Sequence, residues 1–233
     1  MELSERLRLI AEFVTEGYVV ADIGTDHGYI PIWLLQMGRV PKGLAMDIGK
    51  GPLKRARENI KLYGYSDRIE TRLSDGLNEL RENEADSVVI AGMGGSLIVS
   101  ILKNGKNVLD TVKELILSPH TEIQLVRHYL IENEYDIVRE EMVYDMGKYY
   151  TVIKAVHTED KSIKQLYDRD EYNYIYGRLL LKEKSNVFMS FIKNETDKLS
   201  AMLENLSRSQ GADEKKQQIS KRLEYINGIG GKK

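Results

Sequence analysis

Two features of this 233-residue chain predict an α/β fold with a mostly parallel sheet, followed by a C-terminal α-helical coiled-coil hairpin. Short apolar runs at residues 19–23, 43–47, 68–73, 86–91 and 114–117 alternate with helical stretches, and each run leads into a polar or glycine-bearing turn. After residue 157 that alternation stops. From Phe188 onward the apolar residues step by threes and fours, the spacing of helices covering each other.

Residues 2–16 place Leu3, Leu7, Ile10 and Val14 on one face, predicting an amphipathic helix laid against the domain and ended by Gly17. Residues 19–23 are rich enough in apolar side chains for a strand covered on both faces. A helix starts near Tyr29, with Pro31 tolerated in its first turn, and Gly38 closes it. The second strand ends in Asp47. Leu53, Ala56, Ile60 and Tyr63 then mark one face of a helix over 52–63, stopped by Gly64. Ile69, Thr71 and Leu73 alternate in the third strand, which turns at Ser74-Asp75-Gly76. The fourth strand runs into Gly92-Met93-Gly94-Gly95, and the fifth into Ser118-Pro119-His120 before a helix carrying Ile123, Val126, Leu130 and Ile131.

Residues 135–144 and 149–156 read as a hairpin joined through Met146-Gly147-Lys148. Five β/α units and a hairpin describe a parallel sheet with one antiparallel strand inserted, the Rossmann-type layout of class I methyltransferases. Residues 158–176 are polar and tyrosine-rich, a connector without a clear period. Phe188, Ile192, Leu199, Met202 and Leu206 then form a helical stripe interrupted by Glu195, residues 207–213 a loop, and Ile219, Leu223 and Ile226 a second stripe. The expected division is a domain at 1–157, with connector and antiparallel hairpin at 158–233.

The chemistry centres on the first turn, Asp22-Ile23-Gly24-Thr25-Asp26-His27-Gly28. It departs from G-x-G-x-x-G, because Asp26 stands where a dinucleotide fingerprint needs its second glycine, and a carboxylate there repels phosphate. Asp22 and Asp26 suit a ligand with positive charge and no phosphate, for which S-adenosylmethionine is the candidate. The plainer reading makes Asp26 a helix cap alone. Asp47, 25 residues beyond Asp22, is placed to accept two ribose hydroxyls. Asp75 either accepts an adenine amino group or is a solvated turn aspartate, and His27 either orients the turn or is structural. Three glycines in the four residues 92–95 belong where backbone passes close to a ligand or to other backbone.

A net charge of −2 with 30% charged residues argues against a strongly positive global field, although residues 158–233 hold 15 Lys and Arg against 12 Asp and Glu. The absence of cysteine excludes disulfides and thiolate zinc sites. Glu2, Glu5 and Glu12 near the start, and no membrane-length apolar run, lead to the expectation of a cytoplasmic protein that is neither membrane-bound nor metal-dependent, a monomer or weak homodimer.

With the Asp22–Pro31 segment, the Gly92-Met93-Gly94-Gly95 run and the C-terminal hairpin in order, the chain resembles over essentially its full length the bacterial tRNA (adenine(22)-N(1))-methyltransferase family, TrmK. The resemblance implies a methyltransferase domain followed by a coiled-coil hairpin, using S-adenosylmethionine to methylate N1 of an adenine in the D-arm region of tRNA. It implies cofactor contacts from Asp22, Gly24, Thr25, His27 and Gly28, from Asp47 and Ile48, from Asp75 and Gly76, and from Gly92, Met93 and Gly94. Asp26 would position the base and take the amino proton released after methylation. Tyr29, Gly95, Ser118, Pro119 and His120 would hold the target nucleotide, and Arg6, Lys193, Lys198, Lys215 and Lys216 its phosphates. Ser118, Pro119 and His120 depart from the glutamine-proline-asparagine run typical of the family, at the strand end where a flipped base is held. The rivals are a nicotinamide-dependent oxidoreductase, which Asp26 opposes, and a non-catalytic or paralogous S-adenosylmethionine-binding protein serving another nucleic acid or partner.

Overall fold

The computed structural model describes residues 1–207 and 213–230, in two compact units, Met1–Leu179 and Leu180–Lys233. In the first unit α1 (Glu5–Phe13) precedes β1 (Val20–Ile23), α2 (Tyr29–Gln36), β2 (Gly43–Asp47), α3 (Lys50–Leu62) and β3 (Ile69–Leu73). Then come β4 (Ser87–Ala91), α4 (Gly95–Asn104), α5 (Lys106–Leu109), β5 (Glu114–Ser118), α6 (Ile123–Glu132), β6 (Tyr135–Asp145), β7 (Lys148–His157) and α7 (Ser162–Asp168).

The seven strands form one sheet in the order β3-β2-β1-β4-β5-β7-β6, with β1 to β5 parallel and β7 antiparallel to both neighbours. The chain builds outward from β1 to β3, then returns across β1 to place β4. That reversal opens a crevice at the carboxyl ends of β1 and β4, where open α/β sheets take ligands. Each sheet face is covered by its own apolar cluster. Ile10, Phe13, Ile32 and Leu34 of α1 and α2 pack with Val20, Val89 and Ile116 on one side, while Ile98, Leu102, Val126 and Leu130 of α4 and α6 pack with Ile23, Ile90 and Leu117 on the other. All four residues of β1 are buried, as expected for a strand between two helical layers.

Glu114 at the start of β5 ties α1 to the sheet. Its carboxylate accepts from Thr15 N at 2.8 Å and Thr15 Oγ1 at 2.6 Å, and it pairs with Lys154 of β7 at 2.7 Å.

Three sequence expectations need correction. Residues 74–86 between β3 and β4 form turns and no α-helix, burying Leu77 and Leu80 in place of a helical face. The hairpin loop is two residues, Met146-Gly147, with Lys148 already in β7. The division between compact units falls at Leu179/Leu180 rather than at 157/158, because the tyrosine-rich segment is not a free connector. It folds as α7 and a π-helical turn (Asn173–Gly177) and places Tyr167 and Tyr174 in the core. The π turn that carries Tyr174 changes the helical period, so a 3.6-residue pattern does not show it as buried.

The second unit contains α9 (Asn186–Ser207) and α10 (Asp213–Gly230), which pack on each other; α8 (Arg178–Glu183) crosses the division. Lys184 Nζ donates to the Ile229 carbonyl at 2.7 Å, so the start of one arm meets the end of the other and the two run antiparallel. Glu195, which breaks the apolar stripe, is bridged by Arg222 at 2.7 Å. Most of the loop read at 207–213 lies outside the described residues.

Candidate active site

The crevice is a cleft of about 340 Å³ lined by Arg6 and Leu7 of α1, Asp22 of β1 and the turn after it, Tyr29 and Ile30 of α2, Ala91 at the end of β4, Gly92 just beyond it, and His120 after β5. Gly24, His27 and Gly28 all take left-handed backbone conformations, with φ of 75°, 66° and 67°. Histidine tolerates that region poorly relative to glycine, so His27 stores strain held in place by the Asn59 side chain, which donates to its carbonyl at 3.0 Å. The His27 ring stacks on Tyr29 at 5.0 Å. The amides of Gly24 and Thr25 both donate to the Met46 carbonyl and are therefore spent on the sheet rather than offered to a ligand.

Asp22 is buried, and burial pushes its carboxyl up to about 6, with Asp47 adding a smaller push in the same direction. The Thr25 hydroxyl opposes this by more than Asp47 adds, although its buried Oγ1 meets no close hydrogen-bond partner among the described residues. A buried carboxylate with no ion-pair partner among the described residues, beside a buried hydroxyl in the lining of an open cleft, is complementary to a cationic donor such as an ammonium group.

Asp47 is half-buried at the end of β2, its Oδ1 accepting from Gly49 N at 2.6 Å. Ile48 is 67% exposed and Leu73, at the end of β3, 48%, two apolar side chains left open beside Asp47. Asp75 is exposed, and Gly76 turns at φ 58° against Ile101.

The turns after β4 and β5 are zipped together. Gly92 N donates to the Ser118 carbonyl at 3.1 Å, His120 N to the Met93 carbonyl at 2.8 Å, and Gly95 N to the Thr121 carbonyl at 3.0 Å. A Cβ on Gly95 would sit 2.5 Å from the Glu122 carbonyl oxygen, so this glycine, read from sequence as a substrate contact, is buried and has a packing reason to be glycine. Gly94 bridges to Thr121, whereas Gly92 faces the cleft, with a Cβ's nearest neighbour being Arg6 Nη1 at 3.6 Å. Met93 lies over Gly24, where a Cβ would overlap its terminal methyl. Ser118 and Pro119 are buried, and the Ser118 hydroxyl has no partner among the described residues.

His120 is exposed and accepts at Nε2 from Arg6 Nη1 at 2.8 Å, which leaves its proton on Nδ1. Burial of part of the ring, then Arg6 and Lys148, hold the imidazole below its usual range, so it is neutral at pH 7. The Arg6 guanidinium lies over the Tyr150 ring at 5.0 Å.

Sequence reasoning missed the partner of Asp26. Arg55 of α3 donates to its Oδ1 through Nη2 at 2.7 Å and Nε at 3.2 Å, while His27 Nε2 is 3.6 Å away. The only available signal was a basic residue near the start of the helix after β2, indistinguishable in a linear pattern from a solvated face. Lys193 and Lys198 on α9 and Lys215 on α10 are exposed, and Lys216 lies 3.5 Å from Asp213.

Among the described residues there is no group of three or more histidines and carboxylates set to hold a metal, and no helix long and apolar enough to cross a membrane. A switch-point cleft with an acidic, phosphate-averse first turn and a second acid ending β2 defines a Rossmann-type methyltransferase. The chain belongs to the methyltransferase-domain family, which matches residues 3–153, and within it to the tRNA (adenine(22)-N(1))-methyltransferase family. It is 32% identical to the Bacillus subtilis (strain 168) tRNA (adenine(22)-N(1))-methyltransferase, over 98% of this chain and 97% of the relative. The crystal structure of the B. subtilis m1A22 tRNA methyltransferase TrmK superposes with a TM-score of 0.87 at 31% identity, covering 98% of each chain. Streptococcus pneumoniae Sp1610, solved in complex with S-adenosyl-L-methionine, gives 0.86 at 30% identity over 98% of this chain and 99% of its own.

Proposed function

We propose that this protein transfers a methyl group from S-adenosylmethionine to N1 of an adenine in tRNA, adenine 22 by likeness to its B. subtilis relative, in the cytoplasm and without a metal. The observation that carries the reading is Asp22, a buried carboxylate at the switch point with no ion-pair partner among the described residues. The cofactor fits this cleft. Asp22 and Thr25 would take its amino group, Asp47 its ribose hydroxyls, Ile48 and Leu73 the two faces of its adenine ring, and Asp75 with Gly76 the ring edge; Gly24, Gly28, Gly92, Met93 and Gly94 shape the passage between. When bound, it supplies an electrophilic methyl on a sulfonium.

Adenine N1 already offers a lone pair, so no residue has to remove a proton before transfer. The chain's work is placement, and orienting two reactants is worth about 7–11 kcal/mol of barrier. Arg55 holds Asp26 at the cleft rim, where its negative charge would offset the positive charge that the adenine ring acquires on methylation and where it accepts the amino proton afterwards. Tyr29 and His120 would flank the base, with Ser118 and Pro119 as the floor beneath. Lys193, Lys198, Lys215 and Lys216 would contact tRNA phosphates, so changing all four to Gln should raise KM for tRNA and flatten its salt dependence.

The test is incubation with methyl-labelled S-adenosylmethionine and unmodified tRNA transcripts, followed by mapping of the labelled nucleoside. Label at adenine N1 is expected; unlabelled tRNA, or label on another atom, sinks the reading. In the same assay Asp26→Ala should keep cofactor affinity better than Asp47→Ala while losing most turnover. A joint loss would make Asp26 a cofactor ligand or a structural support.

A further inference from the structure

The hairpin β6–β7 overhangs the active edge of the sheet. Leu117 near the end of β5 pairs with Ile153, yet β7 begins five residues earlier at Lys148, so its first residues extend past the sheet on the side where the cleft opens. At about 3.4 Å per residue the overhang is roughly 10–15 Å. It is fastened to the cleft wall, because Asp145 Oδ2 accepts from Arg6 N at 3.2 Å and Tyr150 lies under the same arginine.

The tip is chemically odd. Met146 and Gly147 take φ of 46° and 83°, both positive as in a type I′ turn, where Asn-Gly is the favoured pair and a methionine is strained. Met146 is also 90% exposed, so neither turn chemistry nor burial accounts for it. Beside it Tyr144, 53% exposed, pairs across the strands with Tyr149 at 4.8 Å between ring centres, and Lys148 is exposed.

We propose that this overhang is an RNA-docking wedge, in which Met146 and the Tyr144–Tyr149 pair stack against the nucleotide next to the target and Lys148 meets its phosphate. The inference rests on the methyl-transfer reading, since an adenine presented at N1 must leave its stack, and its exposed neighbour then needs a new stacking partner. A sequence-tolerant aromatic surface with a cation, rigidly joined to the cleft, supplies that.

Two variants of the full chain test it, Tyr144→Ala/Tyr149→Ala and Met146→Asn, by direct binding of a tRNA transcript carrying 2-aminopurine beside the target and by turnover. The double change should weaken tRNA binding and raise KM about tenfold, the scale of one lost stacking contact, with S-adenosylmethionine affinity unchanged. Met146→Asn should raise the melting temperature, because asparagine suits the turn, while still weakening tRNA binding; a merely structural tip would improve or keep both. Wild-type tRNA affinity in both variants overturns the proposal, and wild-type affinity with altered sedimentation would assign the tip to a second copy of the chain. A parent protein that binds tRNA but never methylates it would refute the enzyme reading and leave the binding comparison to decide the wedge; a parent with no tRNA affinity refutes both.

Discussion

Two acids are buried in the same domain in opposite circumstances. Glu140 of β6 is 0% exposed and lies 2.7 Å from Arg127 of α6, itself 1% exposed, whose Nη1 also donates to the carbonyls of Tyr174 and Ile175 at 2.8 and 2.9 Å. Asp22 of β1 is buried with no ion-pair partner among the described residues. The first is ion-paired within the fold, and its arginine holds the π-helical turn on α6. The two acids share their burial and differ in whether a described cation is paired with them.

Breaking the satisfied pair should have the largest effect. Arg127→Met leaves Glu140 buried without its cation and should lower folding stability by about 3–5 kcal/mol, measured by urea unfolding. Adding Glu140→Leu should recover only part of this, since the Tyr174 and Ile175 carbonyls still lose their donor. A single variant as stable as wild type would show that the clasp is not structural.

Removing the acid that has no described counter-ion should do the reverse. A carboxyl that ionises less readily when folded binds its proton more tightly there than in the unfolded chain, so Asp22 withdraws stability as pH rises from 3.8 to about 6. Asp22→Asn should then gain up to about 2–3 kcal/mol relative to wild type above that window and nothing below it. Cofactor affinity should run the other way, rising through the same window in wild type and losing both its strength and that pH dependence in the variant. An identical affinity–pH profile in Asp22→Asn would remove Asp22 from the site.

The smaller effect belongs to an acid that is half-buried. Asp47→Ala should weaken S-adenosylmethionine binding by about 1.5–3 kcal/mol, the scale of hydrogen bonds to a charged acceptor, with little change in melting temperature. Calorimetric affinity equal to wild type would leave Asp22 as the one acid in the contrast that serves a ligand.

Much of the fold around the candidate site was legible because its signals are local. A strand covered on both faces shows as a continuous apolar run, and a left-handed turn shows as Gly24 and Gly28. The glycine run after β4 was also visible, but its reason was divided. Gly92 faces the cleft and Gly95 packs on the backbone of Thr121 and Glu122, a distinction that depends on a segment 26 residues away.

By itself the sequence determined the five parallel strands, the antiparallel pair, the placement of Asp22 and Asp47 near strand ends and of Asp26 in the turn after β1, and the two C-terminal helices. Each of these follows from periodicity and turn chemistry within a few residues. The tertiary structure alone decided the partners: Arg55 for Asp26, Arg6 for His120, Arg127 for Glu140, and the inclusion of Tyr167 and Tyr174 in the core. An arginine on a helix has the same linear pattern whether it reaches water or a carboxylate. Which one it meets is set by distances between elements far apart in the chain, and a linear pattern does not carry them.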